Sequence, residues 1–134
     1  MALSPTIKSY FREQVAVINS GVFWNCLAAA ETLAALLLRE GRSPWIGRLR
    51  KTEARGDNMF HGPLIAAGSP KLLAWTTHYV CVDRDIVYDP VGSRPMLLRR
   101  YSRSVFGEDL TIETFVAQGE VEKYLAAKNR GTSP

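Results

Sequence analysis

Three residues of this sequence have the right types to attack an amide or a thioester together: Cys26, His78 and Asp89. A thiolate is a strong nucleophile, an imidazole takes up and returns a proton near neutral pH, and a carboxylate can orient the imidazole. The motifs of several other chemistries are missing: the chain has no phosphate loop ending in GKS or GKT, no GxGxxG, no HExxH, no GxSxG and no CxxC. The sequence therefore favours covalent catalysis by cysteine.

The position of Cys26 supports this interpretation. It follows Asn25, a good N-cap residue, at the start of a predicted helix that continues to Gly41. Unpaired N–H groups and the helix dipole stabilise a thiolate at such a position. The other cysteine, Cys81, has the opposite strand parity to His78, so we expect it to be a small core residue. Two cysteines do not make a disulfide framework.

His78 and Asp89 lie on the two arms of a predicted β-hairpin, residues 72–82 and 86–89, which Pro90 closes. A two-residue loop at Arg84 and Asp85 places both side chains on one face as diagonal neighbours, about 7 to 8 Å apart at Cα. A four-residue loop gives the same result, whereas a three-residue loop turns Asp89 to the opposite face. The triad therefore requires an even loop.

Two helices precede the hairpin. Ser4-Pro5 opens the first, which keeps one apolar face to about Asn19 and ends before Gly21. The second is surrounded by alanine and leucine on nearly every side, which predicts a buried, central helix. Alternation over 45–50 then predicts a half-exposed strand, and the charges and glycines of 51–63 predict a long irregular loop.

Two further elements follow the hairpin. Residues 96–98 are interpreted as an edge strand, and residues from Thr111 to about Ala127 as a final helix that Gly119 interrupts. Together the elements predict an α+β fold in one domain, residues 1–128, with a disordered tail at 129–134.

Composition narrows the class of protein. With 46% hydrophobic and 22% charged residues among 134, the chain is typical of a globular domain. The longest nearly apolar run, Leu27–Leu38, contains Glu31 and is shorter than the roughly 18 to 20 residues of a membrane span. No Sec-type signal is legible at the N-terminus, so we expect cytoplasmic synthesis, with delivery by a specialised secretion system left open.

The net charge of +4 is unevenly distributed. Residues 39–55 hold six basic and two acidic side chains, and a second cluster comprises Arg94, Arg99, Arg100 and Arg103. Such patches can attract acidic partners, although a solvated surface is the simpler interpretation.

The order of these motifs resembles the papain-like cysteine peptidase superfamily, and in style its compact bacterial toxin, effector and C39-like branches. The resemblance covers about residues 20–92 and rests on three segments: WNCLAAA at 24–30, HYVCV at 78–82 and IVYDP at 86–90. It implies a central cysteine-bearing helix packed on a small antiparallel sheet. It also implies a hydrolase, as peptidase, amidase or glutamine deamidase, with Cys26 as nucleophile, His78 as base and acid, and Asp89 as the orienting residue.

We expect a protein or peptide substrate, a cognate inhibitor or immunity protein, no nucleic-acid partner, no cofactor and no metal. Many members of the superfamily have an oxyanion-hole glutamine about six residues before the cysteine, but this chain has Ser20 there. Asn19 is the substitute we consider, beside the backbone N–H of Cys26. Trp24 and His61 are weaker candidates for substrate contact, and both also fit packing or loop roles.

Two alternatives stay open at the level of sequence. A zinc site made of Cys26, His78 and either His61 or Asp89 has suitable ligand types but lacks the close paired spacing typical of zinc. A noncatalytic module of the same fold would instead hold an acidic partner through the arginine clusters.

Overall fold

The computed structural model describes residues 3–21, 24–55, 58–62, 64–66 and 74–129. Within these residues the helices and strands are, in chain order, α1 (Pro5–Ser20), α2 (Cys26–Arg39), β1 (Trp45–Leu49), β2 (Lys51–Arg55), β3 (Asn58–Gly62), β4 (Leu64–Ile65), β5 (Ala74–Trp75), β6 (His78–Asp83), β7 (Ile86–Tyr88), a 3₁₀ turn (Pro90–Gly92), β8 (Met96–Leu97), α3 (Leu98–Phe106), β9 (Glu113–Val116) and α4 (Val121–Asn129). The predicted α+β class is confirmed. Of the predicted tail, Asn129 ends α4 and residues 130–134 lie outside the described residues.

The first two helices begin where their capping residues predict. The Ser4 hydroxyl oxygen accepts a hydrogen bond from the N–H of Ile7 at 3.2 Å, and Pro5 occupies the first helical position. Gly21 ends α1 in the left-handed conformation, with φ of 82°. Asn25 caps α2. Both helices are therefore confirmed, to within two residues at each end.

The main sheet has five strands in the order β8-β7-β6-β1-β9, and every neighbouring pair is antiparallel. In the β6–β7 hairpin, Asp83 pairs with Ile86 and Val82 with Val87. The loop thus consists of Arg84 and Asp85, and the even loop is confirmed. The predicted edge strand is β8, although Leu98 belongs to α3.

Buried residues cover both faces of this sheet. On one face, Ile46, Cys81 and Tyr88 belong to a cluster with apolar residues of α1, α2 and α4. On the other face, Leu49, Val80, Val82 and Val87 pack with Tyr101, Val105 and Phe106 of α3. The two clusters follow from strand alternation, because successive residues of a strand point to opposite faces. None of the helices in the described ranges has the length and apolar character needed to cross a membrane.

The predicted loop at 51–63 is wrong. Residues Lys51–Arg55 and Asn58–Gly62 pair as β2 and β3 in a separate two-stranded sheet, with Arg55 opposite Asn58. The two strands are neighbours in sequence and pair through backbone hydrogen bonds, which do not require alternating apolar residues. Because the segment has charges and glycines instead of such alternation, its sequence did not indicate the strands.

Two other predictions need correction. The single strand at 72–82 is divided: Ala74–Trp75 pair with β4 in another sheet, residues 76–77 bend, and β6 begins at His78. Strand-favouring residue types do not say which strand will be the partner. The helix predicted from Thr111 is β9 in its first part, because Phe115 and Val116 favour strands and β1 offers its edge. Gly119, with φ of 89°, precedes α4.

Candidate active site

Cys26 is the first residue of α2, and only 8% of its surface is exposed. The side-chain oxygen of Asn25 accepts a hydrogen bond from the N–H of Ala28 at 3.0 Å, which holds this end of the helix. The first N–H groups of an α-helix have no acceptor within the helix and carry partial positive charge. The sulfur therefore lies where a negative charge is stabilised.

His78 is the first residue of β6, opposite Leu49 of β1, and its side chain is fully buried. Its Nε2 lies 2.8 Å from Oδ2 of Asp89. The two residues share a face of the hairpin because the loop between them is even. The base and the acid selected from the sequence are thus directly hydrogen-bonded.

Asp89 is also buried, and both of its carboxylate oxygens are engaged. Oδ1 accepts a hydrogen bond from the N–H of Val91 at 3.1 Å, so Asp89 caps the 3₁₀ turn that follows β7. Oδ2 accepts a second hydrogen bond from the hydroxyl of Tyr101, in addition to its contact with His78. The carboxylate is therefore held by backbone, by the imidazole and by a residue of α3.

The thiol of Cys26 is more acidic than an ordinary thiol. Burial opposes ionisation, but the side-chain hydrogen bond with His78, the charge of His78 and a hydrogen bond with the backbone of Tyr79 outweigh it. Together they hold the pKa of Cys26 below its usual value, even though the charge of Asp89 acts in the opposite direction. Such a thiol is a candidate nucleophile.

The imidazole is correspondingly more basic. Burial acts to lower the pKa of His78, but the charge of Asp89, its hydrogen bond and the contact with Cys26 raise it to about 9. Both shifts favour the charged forms, thiolate and imidazolium, and the two groups titrate as a coupled pair. Because Nε2 is engaged by Asp89, Nδ1 is the ring nitrogen that can exchange a proton with Cys26.

Two aromatic rings pack against His78. The ring of Trp24 lies 6.2 Å away between centroids at 39°, and that of Phe106 lies 5.7 Å away at 72°. The indole N–H of Trp24 donates to Oε1 of Gln14 in α1 at 2.9 Å, which anchors the ring. Apolar surroundings of this kind lower the local dielectric and strengthen the hydrogen bonds of the site.

Sequence analysis missed Gln14, Tyr101 and Phe106. Tyr101 and Phe106 belong to α3, whose apolar residues at 98, 101, 105 and 106 have helical spacing. That spacing is the signal that identifies the helix. The arginines between these positions were interpreted only as a basic cluster. No local signal links Gln14 to Trp24, because the contact depends on how α1 meets the start of α2.

The weaker candidates lie as follows. Asn19 is exposed in the last turn of α1, and its side chain makes no hydrogen bond within the described residues. His61 lies in β3 opposite Thr52, and its side chain falls outside what the structure describes. Trp24, half-buried, packs on His78 as stated. Both Asn19 and His61 remain predictions from sequence.

The described part of the chain holds no group of three or more histidine, cysteine, aspartate or glutamate side chains placed to bind a metal ion. The alternative zinc site made of Cys26, His78 and Asp89 is therefore not supported, whereas the version with His61 includes a side chain that lies outside that part. Cys81 is fully buried in the sheet, as predicted for a core residue.

The basic clusters differ in how far carboxylates neutralise them. In the first cluster, Arg42 pairs with Asp83 at 3.2 Å, and Arg50 binds both carboxylate oxygens of Glu113 at 2.9 and 3.0 Å. In the second, Arg103 pairs with Asp109. Arg94 and Arg100 instead line a cavity of about 320 Å³ together with Ser104 and apolar residues at 95–97.

No protein-family model, curated protein or solved structure matches this chain. The geometry of the site and the order of the motifs along the chain are therefore the indications of function.

Proposed function

We propose that this chain is a papain-like cysteine hydrolase that attacks an amide bond in a protein, a peptide or a glutamine side chain. One observation carries the proposal: a thiol at a helix start has its pKa lowered by a neighbouring buried histidine, and that histidine is itself held by a buried aspartate. Covalent amide hydrolysis needs these three groups: a nucleophile, a base and a residue that orients the base.

In the first half of the reaction, the Cys26 thiolate attacks the amide carbonyl carbon and forms a C–S bond. The backbone N–H of Cys26 is a suitable donor to the resulting oxyanion, because the helix supplies it with no acceptor. The His78 imidazolium then gives its proton to the amide nitrogen. The C–N bond breaks, an amine or ammonia leaves, and a thioester to Cys26 remains.

In the second half, neutral His78 takes a proton from water, and the hydroxide attacks the thioester carbonyl. The C–S bond breaks, the carboxylic acid product leaves, and the thiolate and imidazolium are restored. Asp89 stays an acceptor throughout and favours the charged imidazole each time it forms. Because both halves are the same for a peptide bond and a glutamine side chain, peptidase and deamidase activities are both covered by this proposal.

The test is an intact-mass comparison of candidate target proteins after incubation with the chain. Proteolysis splits a target, whereas deamidation exchanges an amino group for a hydroxyl and changes the mass of the intact target only slightly. A Cys26→Ala variant should leave every target unchanged, and Cys81→Ala should act like the unsubstituted chain. Equal product from the chain and from Cys26→Ala would contradict the proposal.

The motif order also supports a toxin or effector role with a cognate inhibitor that covers the site. A screen for such an inhibitor has a direct readout, because covering Cys26 should slow its alkylation while the alkylation of Cys81 stays unchanged.

A second function, the docking of an acidic protein segment, is favoured by the cavity at Arg94 and Arg100. Neither side chain pairs with a carboxylate in the described part of the chain, whereas Arg42, Arg50 and Arg103 do. Two guanidinium groups and the Ser104 hydroxyl suit a carboxylate-rich ligand.

A glutamate-rich peptide is the probe for this docking. Its affinity should fall steeply with salt, since the Debye length shrinks from about 10 Å at 0.1 M to about 3 Å at 1 M ionic strength. The Arg94→Ala/Arg100→Ala double variant should lose binding, and Arg12→Ala, at an exposed position of α1, should keep it. Binding that survives in Cys26→Ala while the biological effect also survives would favour a noncatalytic module.

A further inference from the structure

Tyr101 is a buried residue of α3 that reaches the acid of the proposed triad. It is 1% exposed, and its hydroxyl donates to Oδ2 of Asp89, the same oxygen that contacts Nε2 of His78. The other oxygen, Oδ1, is held by the N–H of Val91. Three donors from three different elements therefore fix the carboxylate.

Aromatic contacts connect Tyr101 to His78 as well as to its own helix. Its ring meets that of Phe106 edge to face at 6.1 Å, and Phe106 in turn meets His78 at 5.7 Å. Helix α3 thus contacts both the acid and the base, through side chains five positions apart. It covers them on the sheet face that lies opposite α2.

The direction of the Tyr101 hydrogen bond follows from burial. Burial raises the pKa of Tyr101 well above its ordinary value, and the charge of Asp89 acts in the same direction. The hydroxyl therefore keeps its proton at every pH at which the site functions. A carboxylate accepts hydrogen bonds and does not donate them. The hydroxyl of Tyr101 is therefore the donor, and its proton stays bonded to the tyrosine oxygen.

We propose that Tyr101 is a positioning residue of the active site, which acts through Asp89 to set the orientation and the basicity of His78. This inference rests on the proposed hydrolase function and extends it to a fourth residue. Tyr101 and His78 share one carboxylate oxygen, so the hydroxyl takes up part of the negative charge that would otherwise act on the imidazole. Through Tyr101, helix α3 thereby affects how tightly His78 and Cys26 hold their protons, and it does so without contacting a substrate.

Tyr101→Phe removes a donor from Oδ2, which leaves more negative charge facing His78 and should raise its pKa further. We expect an upward shift of about half a pH unit in the titration of the His78 ring protons, measured by NMR. The low-pH limb of Cys26 alkylation by iodoacetamide should move to lower pH, because a more persistent imidazolium favours the thiolate.

Tyr88→Phe is the matched control. Tyr88 is also a buried tyrosine, but its hydroxyl lies 3.5 Å from Nη1 of Arg42 rather than against Asp89. It should lose stability to a similar degree and leave both titrations in place. A role in packing alone predicts the same for Tyr101→Phe, so unchanged titrations in that variant overturn the inference.

A double-mutant cycle tests the route of the effect. In an Asp89→Asn background the additional change Tyr101→Phe should no longer shift His78, because the acceptor that joins the two residues is altered. A shift of the same size in both backgrounds would show that Tyr101 does not act through Asp89.

The unsubstituted chain supplies a measurement that does not depend on folding of a variant. The hydroxyl proton of Tyr101 should exchange slowly with water and show a nuclear Overhauser effect to the ring of His78. The absence of this Overhauser effect overturns the inference. If Cys26 of the unsubstituted chain is no more reactive than Cys81, the hydrolase proposal fails. If Cys26 is reactive and Tyr101→Phe changes nothing, only the role of Tyr101 fails.

Discussion

The two cysteines are both free and both buried, yet their surroundings act on them in opposite ways. Cys81 is fully buried in the middle of β6, opposite Ile46 and Tyr88, and burial together with the negative charge of Asp83 raises its pKa. Cys26 is nearly as buried, but its hydrogen bond with His78 and the charge of that ring lower its pKa. Burial alone makes an unreactive thiol, whereas burial beside a cation makes a candidate nucleophile.

The positions of the two thiols in their elements reinforce this difference. At a helix start, unpaired N–H groups face the sulfur, whereas within a sheet the backbone groups are paired with neighbouring strands. Changes that affect one cysteine should therefore leave the other nearly unaffected.

The largest effect is expected from removing either reacting group. Cys26→Ala or His78→Ala should reduce amide hydrolysis by a factor on the order of 10⁴ or more, because in the proposed mechanism each residue takes part in both halves of the reaction. Cys81→Ala should retain nearly full turnover. Comparable losses in Cys26→Ala and Cys81→Ala would remove the distinction between the two thiols.

A smaller loss is expected at Asp89, whose proposed role is to orient the imidazole. Asp89→Asn should slow hydrolysis about a hundredfold less than His78→Ala does and leave measurable activity. Asp89→Ala should also destabilise the fold, since the buried donors of His78, Val91 and Tyr101 lose their acceptor. Thermal unfolding followed beside turnover separates these two effects; an Asp89→Asn variant as inactive as His78→Ala would assign Asp89 a larger role.

Alkylation compares the two thiols without any substrate. Cys26 should react with iodoacetamide at mildly acidic pH, where an ordinary thiol is protonated, and should react at least about tenfold faster than Cys81. His78→Ala should move the midpoint for Cys26 upward, but short of the value for a buried thiol, because the helix start remains. Peptide mapping across the pH range measures the alkylation of both cysteines at once.

In a profile of turnover against pH, hydrolysis should decline as pH rises through about 9, where His78 loses the proton that the leaving group needs.

The smallest effect concerns stability. Cys81→Ser places a hydroxyl in a fully buried apolar position and should cost about 1 to 3 kcal/mol of unfolding free energy. The alkylation profile of Cys26 should be unchanged in that variant. Chemical denaturation provides the measurement, and a shifted Cys26 profile would show that the two sites are coupled.

Prediction from sequence succeeded where short spacings decide the outcome. Caps at Ser4 and Asn25 marked the helix starts, and the two-residue loop at Arg84 and Asp85 set the register of the hairpin. It failed where the structure of a segment depends on its partner strand, as for β2, β3, β5 and β9. The residue types of a segment do not specify which strand it will pair with. Helix α3 was missed although its apolar spacing is regular.

The sequence by itself determined that Cys26 begins a helix and that His78 and Asp89 share one face of a hairpin, because both follow from capping and from the period of two along a strand. Only the tertiary structure decided that the start of α2 reaches His78, and that α3 returns to place Tyr101 on Asp89 and Phe106 on His78. These contacts join residues far apart in the chain. They form because the apolar faces of the helices must be buried against the two sides of the sheet, and no local spacing encodes which side each helix takes.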